Sequence, residues 1–536
     1  MSAGSALKCA ENHPQCAKPS SSFIPSRVID VGTINARSLR LWHPDAPVDY
    51  IALSYCWDKI NMQAESFVAT RANHQSRISS GIPFNSLPRT LREACRVAQV
   101  LGVRYIWIDS LCIIQDDDRD WDKESGLMSD IYANSLLTIT ALASCSVYDG
   151  LSLTRPDDTV KMILPALDLA TNRALTFHLV APPNEGTNFE MNMIGDWNKR
   201  GWTLQERLLS PRILCFTRKL LYFQCRRGSF PESDAYEPDH LAEWSWIGAP
   251  EPLKAISTTF GRQLVPGPPD GLYTTWYKTI SSDYYSRLLS NFHDRLPAIS
   301  GLAKVLIRQL SFQGTTDEYL AGLWRNDLVF GLSWQVYWHG QSLPRPEYRA
   351  PSWSWASFHD NTRKARMSWA IAPPTWPVRK VQLIKVLDAT VQPAGNDVTG
   401  RVKDGWIVLK GQLVRAQEIV NYQPTFTTLF KPAHTLFPDY DQLNAQVTEH
   451  ILALLVGADH RRSGNRGCED LVRMHGLLLR AIGTSDESGL GSRLGPKLAG
   501  QKLRIFERYG TFDIKPIRER STSSLFPSSP EEIVVL

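Results

Sequence analysis

The sequence predicts an α/β fold, in which a parallel sheet with flanking helices is followed by a mixed helical region and a β-rich C-terminal part. The first observation behind this prediction is that strand-like and helix-like segments alternate between Val48 and Ala143. Strands that alternate with helices form parallel sheets covered by those helices. The second observation is a change of pattern from about residue 375, where apolar and β-branched runs replace helical spacing.

The first strand, helix and strand are predicted before residue 110. The apolar run VDYIALSYC (48–56) suits a strand buried on both faces. A helix is predicted from Pro88 to Gly102, because apolar residues recur at helical spacing between a starting proline and a terminating glycine. The run RYIWID (104–109) then predicts a second buried strand that ends in an acid.

The pattern continues with a second helix and two further strands. One face of that helix is marked by Trp121, Glu124, Met128, Ile131 and Tyr132. The third strand is SLLTITALA (135–143), and the segment RGWTLQERLLS (200–210) predicts a short helix before the strand RILCF.

These patterns divide the chain into four predicted regions. Residues 1–26 are rich in Ser, Pro and Ala and predict a mobile arm, and residues 27–215 form the α/β domain, with its core motifs at 48–206. Residues 216–374 form a mixed, Trp-rich helical region. Residues 375–536 are β-rich and include a tail, STSSLFPSSPEE (521–532), whose composition predicts disorder.

Charge and composition exclude several classes of protein. The 59 Lys and Arg residues exceed the 54 Asp and Glu residues only slightly and are scattered, so nucleic-acid binding is not expected. The N-terminus lacks the apolar core of a secretion signal, and no apolar run reaches the length of a membrane span. We therefore expect a cytoplasmic protein.

The nine cysteines are odd in number and dispersed, which predicts reduced thiols rather than a disulfide framework. Cys9 and Cys16 flank His13, but this spacing fits no common metal site and a fourth ligand is not evident. The sequence therefore predicts no metal site.

Three segments together resemble the heterokaryon incompatibility (HET) domain of filamentous fungi: YIALSYCWD (50–58), the stretch Leu87 to Ser144, and RGWTLQERLLSPRILCF (200–216). Weaker similarity continues in DRLPAISGLA (294–303), YLAGLWRNDL (319–328) and RAPSWSWAS (349–357). The resemblance implies a role in self/non-self recognition on cell fusion, ending in programmed cell death, with protein partners or self-association. One departure is Asp58, which stands where the first motif usually has Gly.

The HET domain is thought to be distantly similar to Toll/interleukin-receptor domains, some of which cleave NAD with a helical Glu near a Trp. This resemblance implies that NAD is a possible substrate and Glu124 the catalytic acid; no cofactor is established. Glu124 shares a helical face with Trp121 and Met128, and a carboxylate can stabilise an oxocarbenium-like ribose. The alternative is an ion pair with Arg119 or Arg200.

Other candidate residues lie at the ends of the predicted strands. Asp109 ends a buried strand, where open α/β sheets bind ligands, or it caps the following turn. Gln115 and Asp116 follow. The acids of this loop either hold Mg²⁺ or are stabilised by the dipole of the helix that follows. Tyr55 and Trp57 either line a ligand crevice, with Trp57 stacked on a base, or pack in the core.

The last motif contributes Arg200, Trp202, Gln205 and Glu206, which either bind a nucleotide or brace the strand ends. We expect the three motifs to meet along one rim of the parallel sheet. Three functions stay open: a nucleotide-cleaving or nucleotide-binding effector, a non-enzymatic protein-interaction module, and a degenerate member of the family without toxicity.

Overall fold

The structure, a computed structural model, describes Cys9, Cys16 and residues 22–57, 67–151, 160–168, 173–181, 195–217, 221–226, 228–231, 269–337, 348–358, 366–369, 378–415, 431–432, 451–462, 469–484, 503–514 and 529–536. Asp58, three tryptophans of the Trp-rich region (Trp244, Trp246 and Trp338) and most of the arm at 1–26 lie outside these residues. The chain forms two compact units, Met1–Val265 and Pro266–Leu536. The domain limits expected at residues 26, 215 and 374 stay predictions.

The N-terminal unit contains eleven described strands and five described α-helices. Its strands are β1 Val28–Asp30, β2 Ser38–Trp42, β3 Tyr50–Ser54, β4 Ile82–Pro83, β5 Tyr105–Trp107, β6 Leu137–Thr140, β7 Val160–Asp168, β8 Arg173–Ala181, β9 Arg212–Phe216, β10 Leu221–Cys225 and β11 Gly228–Pro231. Its helices are α1 His74–Ser79, α2 Arg89–Val100, α3 Asp109–Cys112, α4 Asp118–Asn134 and α5 Thr203–Leu209, with 3₁₀ turns at Phe84–Ser86 and Trp197–Lys199.

Nine of these strands form one sheet, in the order β11-β10-β9-β6-β3-β5-β1-β2-β4, and β7 and β8 pair separately. The four central strands β9, β6, β3 and β5 are parallel, as the alternation of strands and helices predicts. The edge strands are antiparallel. The sheet is therefore mixed rather than wholly parallel. Short connections, which permit only antiparallel pairing, join β1 to β2, β9 to β10 and β10 to β11.

Two long helices position the central strands. Helix α2 buries Leu91, Ala94, Cys95 and Ala98, and Gly102 ends it with a φ of 71°, a conformation that glycine adopts without strain. Helix α4 is held to β3 at both ends of the strand, since the Tyr50 hydroxyl donates to the Ile131 carbonyl at 2.6 Å and the Tyr132 hydroxyl donates to the Leu53 carbonyl at 3.1 Å.

The C-terminal unit is largely β-structure with a helical beginning. Its helices are α6 Pro269–Ser282, α7 Pro297–Phe312 and α8 Leu328–Gly331, with 3₁₀ turns at Tyr284–Ser286, Phe292–Arg295, Arg325–Asp327 and Trp355–Ser357. Its described strands are β12 Tyr319–Leu320, β13 Leu323–Trp324, β14 Trp334–Tyr337, β15 Arg366–Trp369, β16 Val378–Gln382, β17 Lys385–Pro393, β18 Val402–Gly411, β19 Leu413–Arg415, β20 Lys431–Pro432, β21 Ile451–Arg462, β22 Glu469–Thr484, β23 Arg504–Ile514 and β24 Glu531–Val535.

A sheet with the order β16-β21-β22-β23-β24-β18-β17 runs through this unit, with β19 paired to β21 and β20 to β23. The β-rich C-terminal part expected from the sequence is therefore present. The end of the tail differs from expectation, since Glu531 and Glu532 belong to β24, which lies between β23 and β18 and whose Ile533, Val534 and Val535 are buried. Residues 521–528 lie outside the described residues.

Tryptophans form the core beside this sheet. Among the described tryptophans of the unit, five have 0% exposure: Trp276, Trp324, Trp334, Trp353 and Trp355. Among the residues that the structure describes in the whole chain, no helix is both long and apolar enough to cross a membrane.

Candidate functional site

The carboxyl ends of the central parallel strands bring together residues from all three sequence motifs. Tyr55 and Trp57 follow β3, Asp109 and Ser110 follow β5, and Arg200 lies just before α5. We call the group Ser54, Tyr55, Trp57, Asp109, Ser110, Arg200 and Glu206 the strand-end cluster. It lies beside the boundary between the neighbouring strands β3 and β6, where the strand order reverses: the chain continues from β3 to β5 on one side and from β6 to β9 on the other. Open α/β sheets bind ligands at such a point.

The outer layer of the strand-end cluster is held by hydrogen bonds. The Trp57 indole N–H donates to Asp109 Oδ2 at 2.8 Å, and the Ser110 backbone N–H donates to Asp109 Oδ1 at 2.7 Å. The Tyr55 hydroxyl donates to Ser110 Oγ at 2.8 Å, and Arg200 donates through Nη1 to the Tyr55 carbonyl. Trp57, Asp109 and Arg200 are half-buried, so these three side chains can meet a ligand.

The inner layer is completely enclosed. The Ser54 hydroxyl donates to Glu206 Oε2 and accepts the Trp197 indole N–H at 2.7 Å. All three residues are buried, and Trp197 also packs against Cys56 and Leu142, the residue that follows β6 by two positions. Glu206 is therefore held by a buried hydroxyl at the carboxyl end of β3.

Burial shifts the acidity of the carboxyl groups. Loss of hydration raises the pKa of Glu206 to about 7, although the Ser54 hydrogen bond and the charge of Arg200 oppose the shift. The pKa of Asp109 is also raised by burial, again opposed by Arg200. Burial alone would lower the pKa of Arg200, but Cys56, Glu206 and Asp109 hold it above its ordinary value. Arg200 is thus the cation of the cluster.

Glu124 lies in a different environment. It is fully buried on α4, and its Oε1 lies 3.2 Å from Arg27 Nη2. Arg27, itself buried, also donates to both carboxylate oxygens of Asp120 at 2.6 and 2.7 Å. The ion pair considered as the alternative for Glu124 is therefore present, with Arg27 as the partner in place of the expected Arg119 or Arg200. Burial raises the pKa of Glu124.

The other acids and amides near Asp109 support the loop between β5 and α4. Gln115 donates through Nε2 to the carbonyls of Asp109 and Ile113 at 3.2 and 3.1 Å. Asp116 accepts the backbone N–H of Arg71 at 2.8 Å. Asp117 caps α4 by accepting the backbone N–H groups of Arg119 and Asp120. These contacts agree with the interpretation in which the acids of the loop stabilise the N-terminus of the following helix.

The remaining predicted residues lie on α4 and around α5. Trp121 and Trp202 form an edge-to-face pair with ring centroids 6.4 Å apart, and both are half-buried. Gln205 is buried beside Glu206 on α5. The structure thus joins five predicted residues (Tyr55, Trp57, Asp109, Arg200 and Glu206) in the strand-end cluster, and pairs the two tryptophans.

Sequence reasoning missed four residues that complete these groups: Ser54, Ser110, Trp197 and Arg27. Ser54 and Ser110 lie within the motifs at strand ends. As hydroxyl residues next to Tyr55 and Asp109, they could have been predicted as members of the site. Trp197 and Arg27 lie outside the three motifs. Their contacts depend on how distant segments pack, so no local pattern could identify them.

The strand-end cluster offers a cation, an aromatic face and carboxyl groups, held by two hydrogen-bonded groups at one end of the parallel strands. A guanidinium binds phosphate oxygens, an indole ring stacks on a planar base, and a carboxylate binds ribose hydroxyls or a developing positive charge. A carboxyl group with a pKa near neutrality can also exchange a proton at physiological pH. This set of groups matches the parts of a nucleotide.

Comparison with known proteins agrees with the motifs. The family model Heterokaryon incompatibility protein (HET) matches residues 50–206. Heterokaryon incompatibility protein 6, OR allele, from Neurospora crassa is 27% identical over 188 residues, which cover 30% of this chain and 27% of the relative. No solved structure matches the chain. The matched range begins at β3 and ends at Glu206, and so contains the central strands β3, β5 and β6 and the whole strand-end cluster. Residues 50–206 of the chain are thus similar to the HET domain.

Proposed function

We propose that this protein acts in fungal self/non-self recognition that ends in programmed cell death, and that its HET domain binds NAD at the strand-end cluster. The observation that carries this proposal is the hydrogen bond of Trp57 to Asp109, beside Arg200 bonded to the Tyr55 carbonyl, at the carboxyl ends of parallel strands. These three partly exposed side chains supply the aromatic, acidic and basic contacts that a nucleotide needs.

The proposed reaction is cleavage of the bond between nicotinamide and ribose. Nicotinamide leaves as a neutral base, water adds to the ribose carbon, and one proton is released. Asp109 would stabilise the positive charge that develops on the ribose. The released proton passes to water, since Glu206 is buried beneath the groups that meet the ligand. Glu124 is assigned to stability, because Arg27 and Asp120 surround it.

Expression in yeast tests this proposal. The wild-type chain should lower cellular NAD and viability. In cells that express Asp109→Asn or Arg200→Ala, the NAD level should be at least about tenfold higher than with the wild type, near that of control cells. Glu124→Gln, expressed at equal amount, should behave like the wild type. If NAD stays level with abundant folded wild-type protein, or if Glu124→Gln alone restores it, the assignment of the reaction to the strand-end cluster fails.

A non-enzymatic interaction module is the second candidate. It is favoured by the half-buried pair Trp121 and Trp202, because partly exposed indoles are frequent anchors of protein interfaces. In that case toxicity should survive Asp109→Asn and be lost in the double variant Trp121→Ser/Trp202→Ser. A degenerate, non-toxic member would instead show no toxicity until Asp58→Gly restores the usual residue of the motif.

A further inference from the structure

Three buried cysteines meet at the edge of the N-terminal sheet opposite the strand-end cluster. The sulfur atoms of Cys9, Cys16 and Cys225 all lie within 4.8 Å of one another, and the residues are 0%, 1% and 4% exposed. Cys225 ends the antiparallel strand β10 and pairs with Arg212, the first residue of β9. The group therefore lies at the amino ends of the parallel strands.

The spacing of these thiols fits a thiophilic metal ion. Zinc binds sulfur at about 2.3 Å in tetrahedral geometry, so two sulfur ligands of one ion lie roughly 3.8 Å apart. Three sulfur atoms already within 4.8 Å of one another need only small side-chain adjustments to reach that separation. Soft thiolate ligands select zinc over magnesium or calcium.

The charges around the cysteines also suit a metal bound by thiolates. Arg212, which is 1% exposed, donates through Nη1 to the Cys16 carbonyl at 2.6 Å. The half-buried Arg226 directly follows Cys225 in the chain. Three thiolates and one divalent ion carry a net charge of minus one. Neighbouring guanidinium groups stabilise such a charge.

We propose that Cys9, Cys16 and Cys225 bind one zinc ion, which fastens the N-terminal segment to strand β10. The site is structural, because it is buried and lies at the opposite end of the parallel strands from the groups assigned to NAD. A structural zinc has four ligands, so a nitrogen or oxygen ligand completes the three sulfurs. The spacing of Cys9 and Cys16 in the sequence does not predict this site, because the fold brings the third thiol, that of Cys225, to them.

Metal analysis of the purified full chain tests the proposal. We expect one zinc per chain, with X-ray absorption showing three sulfur ligands and one lighter ligand. Cobalt taken up in its place should give sulfur-to-cobalt charge-transfer absorption. A chain that contains no stoichiometric zinc while its thiols are reduced would overturn the site, as would iron in place of zinc or a disulfide between two of the three cysteines.

Variants separate the site from the other thiols. Cys9→Ser, Cys16→Ser and Cys225→Ser should each lose most of the zinc. Two controls should retain it: Cys145→Ser, at the exposed thiol, and Cys95→Ala, at a buried thiol of α2. If a ligand variant fails to fold, the wild type decides, because a strong chelator should remove the zinc and lower the melting temperature. Zinc retention in all three folded serine variants would overturn the proposal.

Discussion

At the scale of single residues, the two buried acids Glu124 and Glu206 have different surroundings. Glu124 is paired with Arg27 at 3.2 Å, while Glu206 is bonded to Ser54 beside Arg200. Periodicity placed Glu124 on the inner face of a helix, and burial confirmed that position. Periodicity could not identify the partner of Glu124, because Arg27 is distant in the sequence, 93 positions before the neighbouring Asp120.

Removal of Arg27 should destabilise the folded protein. Arg27→Ala leaves two carboxyl groups, Glu124 and Asp120, without their buried cation. We expect the free energy of unfolding to fall by about 3–5 kcal/mol, measured by urea denaturation. Arg71→Ala, which removes an exposed arginine paired with Asp117, is the control and should change stability little. A loss in Arg27→Ala no larger than in this control would show that the buried pair contributes nothing.

Glu206 should make stability depend on pH. Its pKa of about 7 in the folded protein lies above the ordinary value of 4.5, so the folded chain holds a proton that the unfolded chain releases. The stability this group contributes is fully present below pH 4.5 and is lost as pH rises to about 7. The loss amounts to at most about 3 kcal/mol.

The variant Glu206→Gln lacks this titration. Relative to the wild type, it should therefore gain stability by about that amount as the solution is taken from about pH 5 to about pH 8. Urea denaturation of both proteins across this range measures the difference. Parallel pH profiles of the two proteins would show that Glu206 ionises normally in the folded state.

At the scale of elements, the central strands and their helices could be predicted, and the edges could not. Buried parallel strands are continuous apolar runs, and amphipathic helices such as α2 have a clear period, so local sequence specified both. The short strands β1, β4 and β11, of 3, 2 and 4 residues, have no pattern of their own. They exist because a neighbouring strand offers backbone partners. The same limit explains the missed contacts of Trp197.

The hairpin of β12 and β13 offers a sharp test of an element. Its two connecting residues, Ala321 and Gly322, have φ values of 45° and 97°, as a tight two-residue turn requires. The Gly322 carbonyl accepts the indole N–H groups of Trp276 and Trp355 at 2.9 and 3.0 Å. A Cβ atom on Gly322 would collide with the Trp355 ring.

We therefore expect Gly322→Ala to lower the free energy of unfolding by about 2 kcal/mol more than Gly314→Ala. Gly314 is the matched control, because its φ is 76° but an added Cβ meets nothing within 4 Å. Urea denaturation compares the two variants. Equal losses would mean that the indoles move aside and that the turn is not fixed by them.

At the scale of the whole molecule, residues 50–206, which match the HET family model, lie within the N-terminal unit, and the C-terminal unit is largely β-structure. The α/β class, the β-rich end and the convergence of Tyr55, Asp109 and Arg200 follow from the sequence because strand ends of a parallel sheet meet at one edge. The mixed edges, the ordered chain end at β24 and the group of Cys9, Cys16 and Cys225 depend on pairings between distant segments. Local patterns do not encode such pairings.

Calorimetric titration of NAD into the purified full chain, compared among three variants, tests most directly whether the strand-end cluster binds a nucleotide. We expect the wild type and Glu124→Gln to bind NAD with similar affinity, and Asp109→Asn and Arg200→Ala to bind at least about tenfold more weakly, since each loses a charged contact. Equal binding by all the proteins, or a loss confined to Glu124→Gln, would contradict this location of the site.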